Sequence, residues 1–161
     1  MIEDGTRLRV YVDADTLLAG SVAAGNGRNG CRSPSLVCIV LSEMGLVDLR
    51  ATDFAVEEAR RNLSKLDPGE VEPAREELEE VTERALTVRE TPDPEVWEKY
   101  SDYTDDKDLP HLASAVETDC RALVSINTSD YCPTFLRGPV IRSIYAYECS
   151  AISLYGRSQV R

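Results

Sequence analysis

Lysine is scarce in this 161-residue chain: only Lys65, Lys99 and Lys107 accompany the arginines among 18 basic residues, against 29 aspartates and glutamates. The formal net charge of -11 and a pI near 4.6 argue against tight sequence-independent binding of nucleic acid, whose affinity comes mostly from cationic side chains on phosphates. Divalent ions gathered in an acidic pocket can still bridge such a protein to phosphate, with arginines at the rim. Long apolar runs are missing as well. No stretch of about 18 apolar residues is available to span a bilayer. Met1-Ile2-Glu3-Asp4 also has neither the basic nor the apolar region of a signal peptide, so a cytoplasmic protein without membrane association is expected. Cys31, Cys38, Cys120, Cys132 and Cys149 contain no Cys-x-x-Cys pair, which removes the usual sign of zinc or dithiol chemistry and leaves free thiols. With His111 the only histidine and no partner suggested by spacing, the residue reads as structural. Neither a Ser-His-Asp set nor a Cys-His pair supports covalent catalysis through serine or cysteine.

What the chain does contain is an apolar run that stops on acids. A length of 161 residues fits one domain that buries roughly 70% of the surface its unfolded form exposes, without a metal or disulfide to hold it together. In Arg9-Val10-Tyr11-Val12-Asp13-Ala14-Asp15, the unalternating Val10 to Val12 fits a strand buried on both faces of a parallel sheet. Ligands of open α/β sheets bind beyond the carboxyl ends of strands, so Asp13 is well sited to hold a cation. The competing reading is a helix cap, for which Asp15 is better suited than Asp13.

Downstream, the Gly/Asn/Arg-rich stretch from Gly20 to Ser33 reads as a loop, without the Gly-Lys-Ser or Gly-Lys-Thr ending of a phosphate loop. Pro34 to Met44 reads as a buried helix closed by Gly45, and Val47 to Ala51 as a second strand. Thr52 or Asp53 can cap a helix through Leu66, with Ala55, Val56, Ala59, Leu63 and Leu66 on one stripe and Pro68-Gly69 as its stop. On that wheel Glu58 lies at the border of the stripe, roughly 110° from its centre, and Glu57 faces solvent at about 150°. Glu70 to Arg84 predicts an acidic helix with a solvated outer face, and Leu86 to Val88 a short strand. Trp97, Tyr100 and Tyr103 follow the Pro92-Asp93-Pro94 turn and are expected to pack as a lid. Pro110 fixes the register of an Ala-rich helix so that Asp108 stands at its start, near the positive end of its dipole, either as a simple cap or as a ligand. Ala122 to Ile126 is a further buried strand, leading into Asn127-Thr128-Ser129-Asp130. Val140-Ile141 is a possible edge strand, and Ile144 to Leu154 reads equally as strand or helix.

Alternating strands and helices with acids at their ends, spread from Asp13 to Asp130, resemble the PIN domain, the metal-dependent ribonuclease fold of VapBC-type toxins. The likeness is clearest over residues 7–133 of a single domain spanning 1–161. Asp13 in Val-Tyr-Val-Asp-Ala-Asp matches the first family acid and Asp15 the Asn or Asp after it. Glu58 in Glu-Ala-Arg-Arg-Asn-Leu matches the helical glutamate, and Asp108 in Lys-Asp-Leu-Pro-His-Leu-Ala-Ser-Ala the third acid. Asn127 stands where the commonest motif has Asp, and Asp130 matches a later Asp that precedes an aromatic. The resemblance implies a three-layer α/β/α fold with a central, mainly parallel sheet. It also implies Mg²⁺ or Mn²⁺ held by Asp13, Glu58 and Asp108, with Asn127 and Asp130 completing or supporting the site. An RNA substrate, an antitoxin protein and a homodimer are the partners it implies. Two other classes are a PIN domain that binds without cutting, favoured by Asn127 and the negative charge, and a haloacid-dehalogenase-like phosphatase. The phosphatase motif Asp-x-Asp is present in Asp13-Ala14-Asp15, but Leu17 occupies the place of its Thr.

Overall fold

Val10, Tyr11 and Val12 are all buried, as an apolar run without alternation requires of a strand covered on both faces. In the computed structural model, which describes residues 7–27, 33–126 and 142–145, they belong to strand β1 (Leu8–Val12) at the centre of a five-stranded sheet. The others are β2 (Val47–Thr52), β3 (Leu86–Arg89), β4 (Ala122–Ser125) and β5 (Arg142–Tyr145). Their order is β3-β2-β1-β4-β5 and every adjacent pair is parallel, with Val10 opposite Leu49 on one side and Ala122 on the other. The chain thus builds outward from β1 to β3, then returns to the other flank of β1. The order reverses between β1 and β4, and in open α/β sheets such a switch point, beyond the strands' carboxyl ends, is where ligands bind.

The helices are α1 (Ala14–Gly25), α2 (Pro34–Glu43), α3 (Asp53–Asn62), α4 (Pro68–Arg84), the short α5 (Pro94–Trp97) and α6 (Leu109–Glu117). α1 packs on α2, α3 and α4, whereas α6, backed by α5, lies against β1, β2 and β4. The mixed α/β architecture with helices flanking a parallel sheet is the three-layer arrangement expected from the alternation of elements. No helix among the described residues is long and apolar enough to cross a membrane.

Local chemistry sets most boundaries. Ser33 Oγ accepts from Leu36 N to cap α2, Pro34 occupies its first turn, and Gly45 follows its end at φ +70°, a conformation that suits glycine. α3 ends at Asn62, earlier than the expected Leu66, because a 3₁₀ turn over Leu63–Lys65 tightens its last stretch. Leu66 still packs against the core. Pro68, expected as a stop, opens α4, where its missing N–H costs nothing. α4 buries Ala74, Leu78 and Val81 and exposes Glu76 and Glu80, as its acidic pattern requires. A Cβ on Gly25 would stand 2.9 Å from the carbonyl carbon of Pro73, so α1 and α4 meet there at backbone distance. β5 lies next to Val140-Ile141, which fall outside the described residues, and it overlaps the start of the ambiguous segment as strand.

Candidate functional site

β1 ends one residue before Asp13, which is 6% exposed and turns the chain into α1 in an extended conformation. Because the helix begins at Ala14, Asp13 and not Asp15 is its cap, and Asp13 Oδ1 accepts from Thr16 N at 2.9 Å. This corrects the expectation that Asp15 would fill that role. Asp13 Oδ2 has no protein partner among the described residues. Asp15 is exposed in the first turn of α1, where Asn62 Nδ2 donates to its Oδ1 at 3.3 Å.

Glu58 is half-buried and its neighbour Glu57 is exposed and paired with Arg60, as the helical wheel over α3 predicts. One oxygen, Oε2, lies 2.8 Å from Nε2 of His111, a residue of the first turn of α6 that is 3% exposed. His111 Nδ1 lies 3.2 Å from the Tyr11 hydroxyl, which lies 3.1 Å from Thr52 Oγ1. With the imidazole proton on Nε2, each contact of this relay has one donor and one acceptor: Thr52 donates to Tyr11, Tyr11 to Nδ1, and Nε2–H to the Glu58 carboxylate. Burial pushes the Tyr11 phenol far above its ordinary range, so it remains a neutral donor. The ring of Phe54 covers His111 at a centroid distance of 5.4 Å, and Trp97 covers Phe54 at 6.4 Å. Of the three aromatics expected as a lid, Trp97 therefore shields this cluster. Tyr100 donates to Glu117 instead, and Tyr103 is exposed.

The hydrogen bond from His111 holds Glu58 below the usual carboxylate range against the opposing effect of burial, with the charges of Arg61 and Lys65 adding to it. Asp15 is shifted the other way. Loss of solvent around its carboxyl raises its pKa, and the negative charges of Asp13 and Glu58 raise it further. Three carboxylates from α1, its cap and α3 thus share one electrostatic environment.

Asp108 occupies the cap position of α6, but its side chain makes no capping hydrogen bond, so the simple-cap reading does not describe it. Its Oδ2 stands 3.7 Å from Lys107 Nζ and its side chain is 14% exposed. Three residues before His111 and one helical turn away, it lies at the same end of the sheet as Glu58 and the Tyr11 hydroxyl. Asn127 and Asp130 lie outside the described residues.

Among the described residues, no three His, Cys, Asp or Glu side chains stand together as a ready metal cluster. The donor set nevertheless suits a hard cation. Asp13 and Glu58 each commit one oxygen to the protein, leaving Oδ2 and Oε1 for monodentate contact, the mode by which Mg²⁺ takes one or two carboxylates while keeping several waters. His111 reads from the sequence as structural and without a partner. Its partners lie 100 and 53 positions away, and its place one turn into the helix that starts at Asp108 was the available signal. No protein-family model matches the chain, and no curated protein matches it.

Proposed function

We propose that this protein is a metal-dependent endoribonuclease of the PIN type. The observation that supports it most is that Asp13 and Asp15, at the start of α1, share one electrostatic environment with Glu58 of α3 beside the switch point of a parallel sheet, with Glu58 fixed in place by a buried histidine. In this reading Asp13, Glu58 and Asp108 hold Mg²⁺ or Mn²⁺. The ion, when bound, supplies Lewis-acid polarisation of the scissile phosphodiester. The chain's own part is to orient the ligands: Thr16 N fixes Asp13 through Oδ1, and His111 fixes Glu58 through Oε2, which leaves one oxygen of each carboxylate for a cation. Asn127 and Asp130 complete or support the site. Asn127 supplies a carbonyl oxygen without adding charge. From the family resemblance follow a 5′-phosphate and a 3′-hydroxyl as products, a homodimer, a cytoplasmic location, and an antitoxin whose basic side chain enters the acidic pocket.

The test is incubation of wild-type and Glu58→Gln protein with structured RNA and Mn²⁺, and separately with p-nitrophenyl phosphate. Wild type is expected to cut RNA, and Glu58→Gln to cut it about 100-fold more slowly or not at all. Phosphate release without RNA cleavage would transfer the assignment to an aspartyl phosphatase using Asp13. Binding of Mn²⁺ and RNA with no cleavage would make the domain a binding module.

A further inference from the structure

Among the described residues, several arginines are neutralised by neighbouring acids. Arg50 pairs with Asp48, Arg60 with Glu57 and Glu79, Arg75 with Glu72 and Arg84 with Glu80. Arg61 and Lys65, like Arg89, Lys99 and Arg121, are exposed and make no ion pair among the described residues, but these two alone of the five follow Glu58 on α3 and its 3₁₀ end. Glu57, four positions before Arg61 and within its reach on a helix, is taken by Arg60. Arg61, Asn62 and Lys65 follow Glu58 at three, four and seven positions, so α3 and its 3₁₀ end carry them over the side that presents Glu58. The hydrogen bond from Asn62 to Asp15 ties that side to the first turn of α1, just past Asp13. Cations beside a metal-binding set of acids repel the metal, which makes them a poor choice unless an anion must also be received there. In a chain of net charge -11, an approaching polyanion needs such a landing point.

We propose that Arg61 and Lys65, with the amide of Asn62 between them, form a phosphate-binding flank of the site that takes the sugar-phosphate backbone of single-stranded RNA beside the bond to be cut. The identity of the ligand rests on the nuclease reading above. Such contacts carry no base information, so the flank binds different sequences alike and its contribution fades with salt.

The experiment is fluorescence anisotropy of labelled oligouridine and oligoadenine on the full chain in Ca²⁺, an oxygen-seeking ion, at several salt concentrations. Arg61→Gln/Lys65→Gln is expected to weaken both oligonucleotides several-fold at low salt and to reduce the salt slope by about 1.4, or about 0.7 for each lost phosphate contact on a single strand. Arg61→Lys/Lys65→Arg should restore binding. Arg75→Gln/Arg84→Gln, with the same change in net charge on α4, should leave it unchanged, and thermal melting followed by circular dichroism checks that all variants fold. Equal binding and equal slope in the Arg61→Gln/Lys65→Gln protein, equal loss in the α4 control, or no binding by wild type would each overturn the proposal. If wild type binds through these residues but cuts no RNA in Mn²⁺, the nuclease reading fails and the phosphate flank stands. If wild type cuts RNA while the double variant binds as tightly as wild type, the flank fails alone.

Discussion

A glutamate at the edge of a helix's apolar stripe ordinarily turns its carboxylate to water, whereas Glu58 gives one oxygen to a ring buried between Tyr11 and Phe54. His111→Ala would leave the Tyr11 hydroxyl short of a partner in the core and open a cavity under Phe54, so a loss of about 2 to 4 kcal/mol in chemical denaturation is expected. The same variant should return Glu58 toward the ordinary carboxylate pKa, read by NMR titration of its side-chain carboxyl carbon. An unshifted Glu58 would mean that the 2.8 Å contact does not set its ionisation. Asp15 gives the opposite sign. An acid whose pKa is raised on folding favours the native state at low pH and opposes it once pH rises through the folded value. Asp15→Asn should therefore melt higher than wild type at neutral pH in metal-chelating buffer, with the advantage disappearing as pH falls below the carboxylate range. A lower melting point at neutral pH would show that the bond from Asn62 outweighs the crowding by Asp13 and Glu58.

Among the elements, α1 packs on α2, α3 and α4, and at Gly25 the backbone of α4 comes close to it. Gly25→Ala places a methyl 2.9 Å from backbone carbon, which only a shift of α4 can relieve, and a cost of about 1 to 3 kcal/mol is expected from denaturant unfolding. The gain in helix propensity from Ala, about 1 kcal/mol, would prevail only if α4 were free to move. Strand β2 is joined to β3 by Asp48, which accepts from Arg50 Nε at 2.8 Å and from Thr87 Oγ1 at 2.9 Å. Burial alone would raise the Asp48 carboxyl, but these hydrogen bonds, with the charges of Arg50 and Arg7, hold it below the ordinary range. Its contribution is complete above the unfolded value, about 3.9, and is lost as pH falls through the lower folded value. Asp48→Asn should cost about 1 to 3 kcal/mol at neutral pH, and the gap from wild type should close only below about pH 4. A gap that widened in acid would contradict this assignment.

The elements that could be read from the chain are those whose signals are local. Buried strands showed as unalternating apolar runs, α2 as Pro34 to Gly45, and the placement of Glu58 as an angle on a wheel. Asp13 stands out as a candidate in the sequence, but the cap is not assignable from spacing, since a small change in where α1 starts decides whether Asp13 or Asp15 serves it. Pro68 is a stop for one helix and a start for the next, and sequence spacing alone does not separate the two. The role of His111 was not legible because Tyr11 and Glu58 meet it only after β1, α3 and α6 have packed.

For the molecule as a whole, a net charge of -11 disfavours compactness and the approach of a polyanion, and Asp13, Asp15 and Glu58 add a local like-charge repulsion of their own. A divalent cation there would relieve the local repulsion and offer a polyanion its approach. Calorimetric titration of Mn²⁺ into wild type and Asp13→Asn/Asp108→Asn protein tests this most directly. The account predicts saturable binding by wild type and an affinity at least about tenfold lower, a difference of about 1.4 kcal/mol, in the variant. Equal affinity in the two proteins would contradict it.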